Sequence, residues 1–292
     1  MRKIKELVIE KSLLSSALIT IAVTIGIVLV LAIEAVQFFS EVSILDFLTD
    51  TQWTPLFTDK HYGILPLLSG TLLTSFIAIS VALPIGLSIS IYLSEYAPKS
   101  FRKTVKPLLE LLAAVPTVVY GFFALIVVTP FLQQIIPGLS GFNSLSAGFV
   151  MGIMIIPYIS SISEDALHAV PNALREASFG MGATKLQTAF KVVVPAASSG
   201  IIVSIILAIS RAIGETMIVA VAAGQQPRLT LDPTVPVETI TAYIVQVSLG
   251  DVEHGSVEYR TIFAAGITLF VFTFLLNTLS YRIRKKYQER YE

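Results

Sequence analysis

The sequence predicts an all-α integral membrane protein with six transmembrane helices. Of its 292 residues, 54% are hydrophobic and 14% are charged, whereas about a quarter of the residues in a soluble domain are charged. The mean hydropathy is +0.78. Because the apolar residues occur in blocks as long as a membrane span, we expect one membrane domain and no soluble catalytic domain.

The six spans follow from five apolar blocks taken in chain order. Four of the blocks contain no charged residue, and the longest of these, 53 residues at 111–163, holds two spans around a Pro-Gly turn. The remaining block, at 192–226, is also long enough to span but contains Arg211 and Glu215. The predicted spans are roughly 12–38, 64–94, 107–132, 144–163, 196–224 and 261–281.

The basic residues predict the orientation of this domain, which covers 12–284 between the terminal segments 1–11 and 285–292. Sixteen of the twenty Lys and Arg residues lie on the side of the two termini. Since cytoplasmic loops carry the excess of Lys and Arg, we expect both termini, and the polar insert between the fourth and fifth spans, to be cytoplasmic. We therefore expect a multi-pass protein of the inner (plasma) membrane, with its first span as a retained signal anchor.

Composition excludes several kinds of chemistry. The chain has no cysteine, and its three histidines lie in separate loops, so we expect no metal site. It has no Gly-Lys dipeptide and no G-x-G-x-x-G pattern, so we expect no nucleotide-binding loop. The net charge of zero does not indicate nucleic acid binding. We therefore expect a protein that is not an enzyme and has no cofactor, and any uphill movement would take its energy from a partner.

The polar insert at 164–195 contains more signals for the starts and ends of helices than a simple connecting loop needs. Pro171 lies where the start of a helix tolerates proline, and Thr184 with Gln187 matches a capping box. Apolar residues then recur at helical spacing from Leu186 to Val194. The pattern predicts two short helices beneath the membrane domain, forming a surface that another molecule holds.

Arg211 and Glu215 are the two charged residues that lie inside an apolar block. A charge at the middle of a membrane costs about 2.5 to 3.5 kcal/mol on insertion scales, so an arginine there should face a partner or a cavity. Four residues of separation would put both side chains on one face of a helix. Two interpretations stay open: an ion pair that only neutralises itself, or an anion site in which the guanidinium binds phosphate or carboxylate oxygens. In the second, Glu215 would accept a hydrogen bond from protonated phosphate, which sulfate cannot donate.

Other proline and polar positions in the spans carry weaker signals. Pro116 frees a backbone carbonyl, and Thr117 and Tyr120 supply hydroxyls near it, so this stretch is a candidate lining of a substrate path. Proline is, however, also commoner in membrane helices than in soluble ones. Three glutamates lie near span ends, where contact with interfacial water accounts for them: Glu34, Glu95 and Glu110.

The insert is similar to the cytoplasmic loop of ABC importer membrane subunits, whose pattern is E-A-A-x3-G-x9-I-x-L-P. This chain has EAS at 176–178, Gly182, and V-x-V-P ending at Pro195, with the same spacing and three mild departures. The resemblance implies the type I permease fold of ABC importers, with short cytoplasmic coupling helices that dock on an ATPase subunit. The coupling residues that it implies are Arg175, Glu176, Ala177, Gly182, Ala183, Thr184 and Pro195.

Most of the chain from Trp53 onward resembles the membrane subunits of phosphate-specific ABC importers. The matching segments include ILPLL at 64–68, IYLSEYA at 91–97, VPTVVYGFF at 115–123 and RAIGETM at 211–217. The segment at 53–55 and Met217 resemble the PstC type more than the PstA type. In that family an Arg-x3-Glu pair on the fifth span has been tied to phosphate movement, which implies this role for Arg211 and Glu215.

The resemblance implies a permease subunit of an ATP-driven importer that moves inorganic phosphate into the cytoplasm by alternating access. It implies coupling to a separate ATPase through the loop at 164–195. The implied partners are a paralogous PstA-type permease subunit, two ATPase subunits, an extracytoplasmic phosphate-binding protein and membrane lipid. Two alternatives stay open: an ABC importer for another oxyanion, such as sulfate, molybdate or phosphonate, and an ATP-independent secondary transporter, which would not explain the spacing of the insert.

Overall fold

The chain is helical in the part that the structure describes. A computed structural model describes residues 2–287, with side chains described for residues 6–282. No strand occurs among these residues. Met1 of the predicted N-terminal segment and residues 288–292 of the predicted C-terminal segment lie outside the described residues.

The helices are named α1 to α14 in chain order. They are Arg2–Glu41 (α1), Ile44–Thr49 (α2), Leu65–Ile91 (α3), Lys99–Ala114 (α4), Thr117–Phe123 (α5), Thr129–Gln133 (α6), Ser144–His168 (α7), Asn172–Gly180 (α8), Lys185–Thr188 (α9), Val194–Ala196 (α10), Ser198–Ile213 (α11), Met217–Ala222 (α12), Ile240–Leu249 (α13) and Val257–Tyr287 (α14). Single π-helical turns follow α3, α5 and α9; they are Tyr92–Tyr96, Ala124–Val128 and Ala189–Val193. The last two turns join α5 to α6 and α9 to α10, so each pair continues as one helical rod.

Six spans result when each of two bent helix pairs is counted as one span. The helices α1, α3, α7 and α14 are each long and apolar enough to cross a membrane alone. The bent pairs are α4 with α5–α6, at 86°, and α9–α10 with α11, at 72°. The all-α membrane fold is as predicted, but the segments predicted as the third and fifth spans have a different internal structure.

The third span begins later than the predicted segment 107–132. Helix α4 ends at Ala114, and Val115 is extended, with φ −64° and ψ 131°. Because a proline disfavours helical backbone at the residue before it, Pro116 ends α4, and the chain bends by 86° before the span proper begins at Thr117. No residue of α4 is buried. With basic residues on one face and apolar residues on the other, α4 is suited to lie along the membrane surface.

The fifth span is interrupted rather than continuous over 196–224. Helix α11 ends at Ile213 and α12 begins at Met217, so residues 214–216 form a break. Hydropathy does not detect this break, because the residues on both sides are apolar. The fourth span, by contrast, is longer than the predicted 144–163 and continues to His168.

Glycines allow α3 and α7 to pack closely. A Cβ atom on Gly148 would lie 2.7 Å from Cβ of Ile77, and one on Gly152 would lie 2.8 Å from the carbonyl oxygen of Ala78. Small residues at helix contacts bring membrane helices together in this way. Helix α7 is thereby central: 67% of its most apolar stretch is buried, against 28% for α3.

Helix α1 lies at the edge of the fold and packs on α14. Arg260 near the start of α14 pairs with Glu41 at the end of α1, with 2.8 Å between Nη1 and Oε1, so the two helices are antiparallel. The start of α1 and the end of α14 therefore lie on one side of the membrane, which we call the terminal side. No residue in the apolar stretch of α1 is buried within the chain, so this helix presents its apolar side chains to lipid.

The region between the segments predicted as the fifth and sixth spans contains a buried helix, α13. Thr239 caps its first turn, since its Oγ1 accepts a hydrogen bond from the Ala242 amide at 3.2 Å. Tyr243 of α13 is 98% buried and packs edge-to-face on Trp53, with 5.0 Å between ring centroids. With ten residues, α13 is too short to cross a membrane. It packs against α3, α12 and α14 on the side opposite to the chain ends.

We predict that Gly152→Ala destabilises the fold. The added Cβ atom would lie 2.8 Å from the Ala78 carbonyl oxygen, so α3 and α7 must separate, and overpacking of this kind costs about 1 to 3 kcal/mol. The measurement is the temperature at which the purified chain in detergent loses its monodisperse size-exclusion peak. Gly26→Ala is the matched control, because nothing lies within 4 Å of a Cβ atom there. Equal transition temperatures for the two variants would contradict this packing.

Candidate functional site

Arg211 and Glu215 form an ion pair, with 2.7 Å between Nη1 and Oε2. Arg211 lies in the last turn of α11, whereas Glu215 lies in the break before α12. The expectation that both lie on one face of a continuous helix is therefore wrong. They meet because a tight turn follows Gly214, in which the Glu215 amide donates to the Ala212 carbonyl at 3.2 Å.

The Glu215 carboxylate is fixed by the chain around it. Its Oε1 accepts hydrogen bonds from the amides of Met217 and Ile218, at 3.1 and 3.3 Å, which caps the start of α12. Its backbone carbonyl accepts a hydrogen bond from Thr241 Oγ1 at 2.6 Å. The side chain is 1% exposed. In this conformation the Glu215 carboxylate is buried, with Oε1 on the two amides and Oε2 beside Arg211, so these contacts hold it against the guanidinium.

Arg211 is the exposed member of the pair. Its side chain is 32% exposed, and its Nη2 lies 3.9 Å from the sulfur of Met154 on α7. Met154 is ten residues beyond the start of α7 at Ser144, which corresponds to about 15 Å, or half of a hydrocarbon core of about 30 Å. An arginine at this depth does not face lipid at low cost, so this surface of the chain faces a polar path or another subunit.

The predicted path residues Thr117 and Tyr120 lie on α5, which packs on α12 next to the ion pair. The Tyr120 hydroxyl donates at 2.8 Å to the carbonyl of Leu112 in the last turn of α4, which also accepts from the Val115 amide at 3.4 Å. Neither hydroxyl is hydrogen-bonded to Arg211 or Glu215 within the described residues. The structure thus places Tyr120 at the helix break that Pro116 creates.

The insert at 164–195 completes α7 and then forms the two predicted short helices, α8 and α9, on the terminal side of the fold. The turn between them needs a glycine, since φ at Gly182 is +83°, in the left-handed region that other residues rarely adopt. The capping box is confirmed: Thr184 Oγ1 accepts from the Gln187 amide at 3.3 Å, and Gln187 Oε1 accepts from the Thr184 amide at 2.9 Å. Pro195 lies in α10, which directly follows the π-helical turn Ala189–Val193, inside the rod of α9–α10.

The turn between α8 and α9 carries an apolar surface that we call the loop tip. It consists of Phe179, Met181 and Leu186, which are 46%, 89% and 59% exposed. Glu176 and Ala177 are also exposed, on the last turns of α8. Apolar groups clustered at an exposed turn and rimmed by polar residues mark an interaction surface.

Arg175 does not belong to this exposed surface, because it holds α8 to the membrane helices. Its Nη2 pairs with Glu95 at 2.8 Å, and its guanidinium donates to the carbonyls of Leu167 and Val170 at 2.8 and 2.6 Å. The two side chains are 14% and 6% exposed. The interpretation of Glu95 as solvated at the interface is therefore wrong, since this carboxylate, in the π-helical turn after α3, is the buried partner of Arg175.

A second ionic contact lies at the same end of α7. Glu164, which is fully buried, pairs with Arg102 and with Lys106 of α4, and Lys106 also pairs with Asp165. These contacts tie α4 to the helix that enters the insert. Sequence reasoning missed them, because partners about sixty residues apart leave no local pattern.

One departure from the importer loop pattern has a structural reason. Ser178, where the pattern has alanine, lies 2.9 Å from the hydroxyl of Thr188, so a hydrogen bond joins α8 to α9. Thr188 is buried. The serine therefore adds a link between the two short helices and leaves the loop tip unchanged.

Comparison with known proteins identifies the class. Residues 82–291 match the family described as binding-protein-dependent transport system inner membrane component. The match covers more than two thirds of the chain, and the chain belongs to this family. It is therefore a multi-pass transport subunit of the inner membrane rather than an enzyme.

Curated relatives refine this class. The chain is 37% identical to the probable ABC transporter permease protein YqgH of Bacillus subtilis, with 90% of this chain and 85% of that protein covered. It is 36% identical to the phosphate transport system permease protein PstC of Mesorhizobium japonicum, with 80% and 76% covered. It is 34% identical to PstC of Haemophilus influenzae, with 83% and 82% covered.

Solved structures support the fold. The chain is similar to a methionine ABC transporter in inward-facing conformations, with a TM-score of 0.57, 20% identity, and 78% of this chain and 95% of that chain covered. It is also similar to a bacterial alginate ABC transporter in complex with its alginate-bound periplasmic protein, with a TM-score of 0.58, 19% identity, and 87% and 88% covered. The predicted ABC importer permease fold is therefore confirmed.

We predict that Arg175→Met destabilises the chain and that a second change restores stability. The single change leaves the Glu95 carboxylate buried without its partner, which costs about 3 to 5 kcal/mol. Replacing both residues, with Glu95→Gln added, removes the uncompensated charge. The measurement is the thermal transition of the purified chain in detergent for the two single variants and the double variant. Additive shifts would contradict the coupling between the two residues.

Proposed function

We propose that this chain is the PstC-type permease subunit of an ATP-driven importer that moves inorganic phosphate into the cytoplasm by alternating access. The observation that carries the proposal is an arginine at mid-membrane depth, held by a buried carboxylate and partly open toward the outside of the single chain. The identity to PstC of Mesorhizobium japonicum supports phosphate as the substrate.

Arg211 is the phosphate ligand in this proposal, and Glu215 positions it. Nη1 is bound to Glu215, while the exposed part of the guanidinium can donate to phosphate oxygens. The contact is transient, because a site that binds its substrate tightly also stalls its release. Thr117 and Tyr120 lie on the neighbouring helix α5. They contribute to the path by shaping the helix break at Pro116 rather than by a hydrogen bond to Arg211 or Glu215.

The exposed arginine also implies a second permease subunit. Since a guanidinium does not face lipid cheaply, the surface around Arg211 packs against a PstA-type paralogue, and the phosphate path lies between the two. An extracytoplasmic phosphate-binding protein delivers phosphate at the side of α13. Both termini are cytoplasmic, in agreement with the excess of Lys and Arg on the terminal side.

Coupling to two ATPase subunits takes place at the insert 164–195. The loop tip docks on an ATPase, with Glu176, Ala177, Gly182, Ala183 and Thr184 forming or shaping the contact. The rod of α9–α10 meets α11 at a bend of 72°. Arg211 lies thirteen residues beyond Ser198, or about 20 Å along the helix. Displacement of the docked loop therefore moves the helix that carries the phosphate ligand.

The energetic requirement agrees with an ATP-driven partner. Phosphate carries between one and two negative charges near neutral pH, as phosphomonoesters do. Importing a dianion against about 100 mV, negative inside, costs about 4.6 kcal/mol before any concentration gradient, at about 2.3 kcal/mol per charge.

We predict that Arg211→Ala abolishes phosphate uptake without loss of assembly. Proteoliposomes with the full transporter would be loaded with ATP on the ATPase side, and uptake of radiolabelled phosphate would be measured together with subunit stoichiometry. Losing the guanidinium that contacts the anion should lower the rate at least about a hundredfold, the scale of one lost charge-assisted contact at about 2.7 kcal/mol.

Lys103→Ala is the control for the loss of a positive charge, because Lys103 is exposed on α4, away from the ion pair, the loop tip and the side of α13. Normal uptake by Arg211→Ala would refute the assigned role. Uptake of sulfate in place of phosphate by the wild-type transporter would instead redirect the proposal to another oxyanion.

We predict that Met181→Glu uncouples the chain from its ATPase. Met181 is 89% exposed at the loop tip, so the change should leave the fold intact while placing a charge in the docking surface. The measurement is copurification of the ATPase with tagged permease, and ATP hydrolysis by the complex. Leu249→Glu is the matched control, because Leu249 is 83% exposed at the end of α13, on the other side of the membrane. Normal copurification with Met181→Glu would remove the loop tip from the docking surface.

A further inference from the structure

A small cavity on the side of α13 contains a carboxyl group without a partner. The cavity has a volume of about 150 Å³ and is lined by Glu238, Trp53, Tyr243 and three glutamines, among others. Glu238 is 2% exposed, and its Oε1 has no hydrogen-bond partner among the described residues. Buried polar groups are nearly always paired, so this carboxyl calls for an explanation outside the chain.

The surroundings of Glu238 favour a cation as the missing partner. Burial raises the pKa of Glu238 to about 8. None of the residues that line the cavity is basic. Tyr243 is the other titratable group of the lining, and its hydroxyl is occupied, 2.7 Å from that of Thr261. Helix α3, which approaches the Glu238 carbonyl at Gly70, carries no titratable side chain. A positive charge that enters the cavity therefore meets Glu238 with no basic residue in the lining, and Arg228, whose Nη2 donates to Gln226 Oε1 at 2.8 Å, lies beside the rim.

The mouth of the cavity is built from loops at the aqueous end of the fold. Leu56 and Phe57, which are 44% and 66% exposed, form one rim. The segment that carries them is held by an antiparallel β-bridge between Trp53 and Tyr62. Gln225, with φ at +47°, belongs to the opposite rim. A preformed cavity with an apolar rim and an acidic base fits one long basic side chain of a soluble protein.

The base of the cavity is connected to the intramembrane ion pair. The Val237 amide, next to Glu238, donates to the Ala223 carbonyl at the end of α12, at 3.0 Å. Three residues beyond Glu238, Thr241 donates to the Glu215 carbonyl just before α12, at 2.6 Å. Hydrogen bonds from the segment 237–241 thus hold both ends of α12. A displacement of Glu238 would therefore be transmitted to Glu215, the residue that positions Arg211.

We propose that this cavity receives a lysine or arginine side chain of the extracytoplasmic binding protein, with Glu238 as its carboxylate partner. The proposal rests on the proposed function, because it names the contact by which that partner docks. Docking converts Glu238 to its ionised form and releases its proton to the solvent. The ionised pair then fixes the segment 237–241 and, through Thr241, the position of Glu215.

The test uses the complete transporter in nanodiscs with its phosphate-loaded binding protein. ATP hydrolysis is measured against the concentration of binding protein for wild type and Glu238→Gln. Loss of the buried charge partner should raise the half-saturating concentration at least about tenfold, while hydrolysis without binding protein stays unchanged. Asp251→Asn is the control for an exposed acidic residue on the same side. A shift below twofold for Glu238→Gln, or an equal shift for Asp251→Asn, would overturn the proposal.

The pH dependence of the unmodified transporter is a second test, which needs no variant. Since docking releases a proton from a group with a raised pKa, the half-saturating concentration should fall as the pH rises from about 6 toward 8 and then level off. A flat profile would overturn the proposal. If the binding protein does not stimulate wild-type hydrolysis at all, the proposed function fails; if it stimulates wild type and Glu238→Gln equally, only the role of Glu238 fails.

Discussion

The cost of placing a guanidinium in the hydrocarbon region is the constraint that organises this chain. Arg211 is tolerated at mid-membrane depth because Glu215 neutralises it at 2.7 Å. Glu215 can be buried only because α11 stops at Ile213, which frees the amides of Met217 and Ile218 to bind its carboxylate. The break between α11 and α12 is thus what allows the charged pair to lie within the membrane. The rest of the guanidinium stays partly exposed on the surface of the single chain.

The contacts on the terminal side explain how a loop outside the membrane acts on this charge. Arg175 binds Glu95 and two carbonyls at the end of α7, so α8 cannot move without α3 and α7. The rod α9–α10 continues into α11 after a single bend. The loop tip is therefore joined to the membrane helices by buried ionic contacts on one side and by a covalent helix path on the other. A displacement at the tip is transmitted as a shift of whole helices, since packed helices move as rigid bodies.

Patterns that are local in sequence gave reliable predictions, and long-range ones did not. The capping box at Thr184 and the all-α membrane fold follow from spacing and hydropathy, which depend on neighbouring residues. The pairing of Glu95 with Arg175 joins residues eighty positions apart, and no periodicity encodes it. The break after Gly214 was missed for another reason: hydropathy measures transfer from water and is insensitive to the loss of one helical hydrogen bond. The ion pair was predicted, but its geometry, which decides what Glu215 can do, required the fold.

Glu215 is bonded to two elements that lead to opposite sides of the membrane. From the terminal side it is reached through α11, which ends two residues before it. From the other side it is reached through Thr241, whose hydroxyl donates to its carbonyl at 2.6 Å. A shift of either element would move Glu215 relative to Arg211, because Glu215 is bonded to both: its amide donates to the Ala212 carbonyl at 3.2 Å, and its carbonyl accepts from Thr241. The two inputs are not equivalent, since α11 moves the guanidinium as well, whereas Thr241 moves only its partner. Under the proposed function, the first input comes from the ATPase and the second from the binding protein.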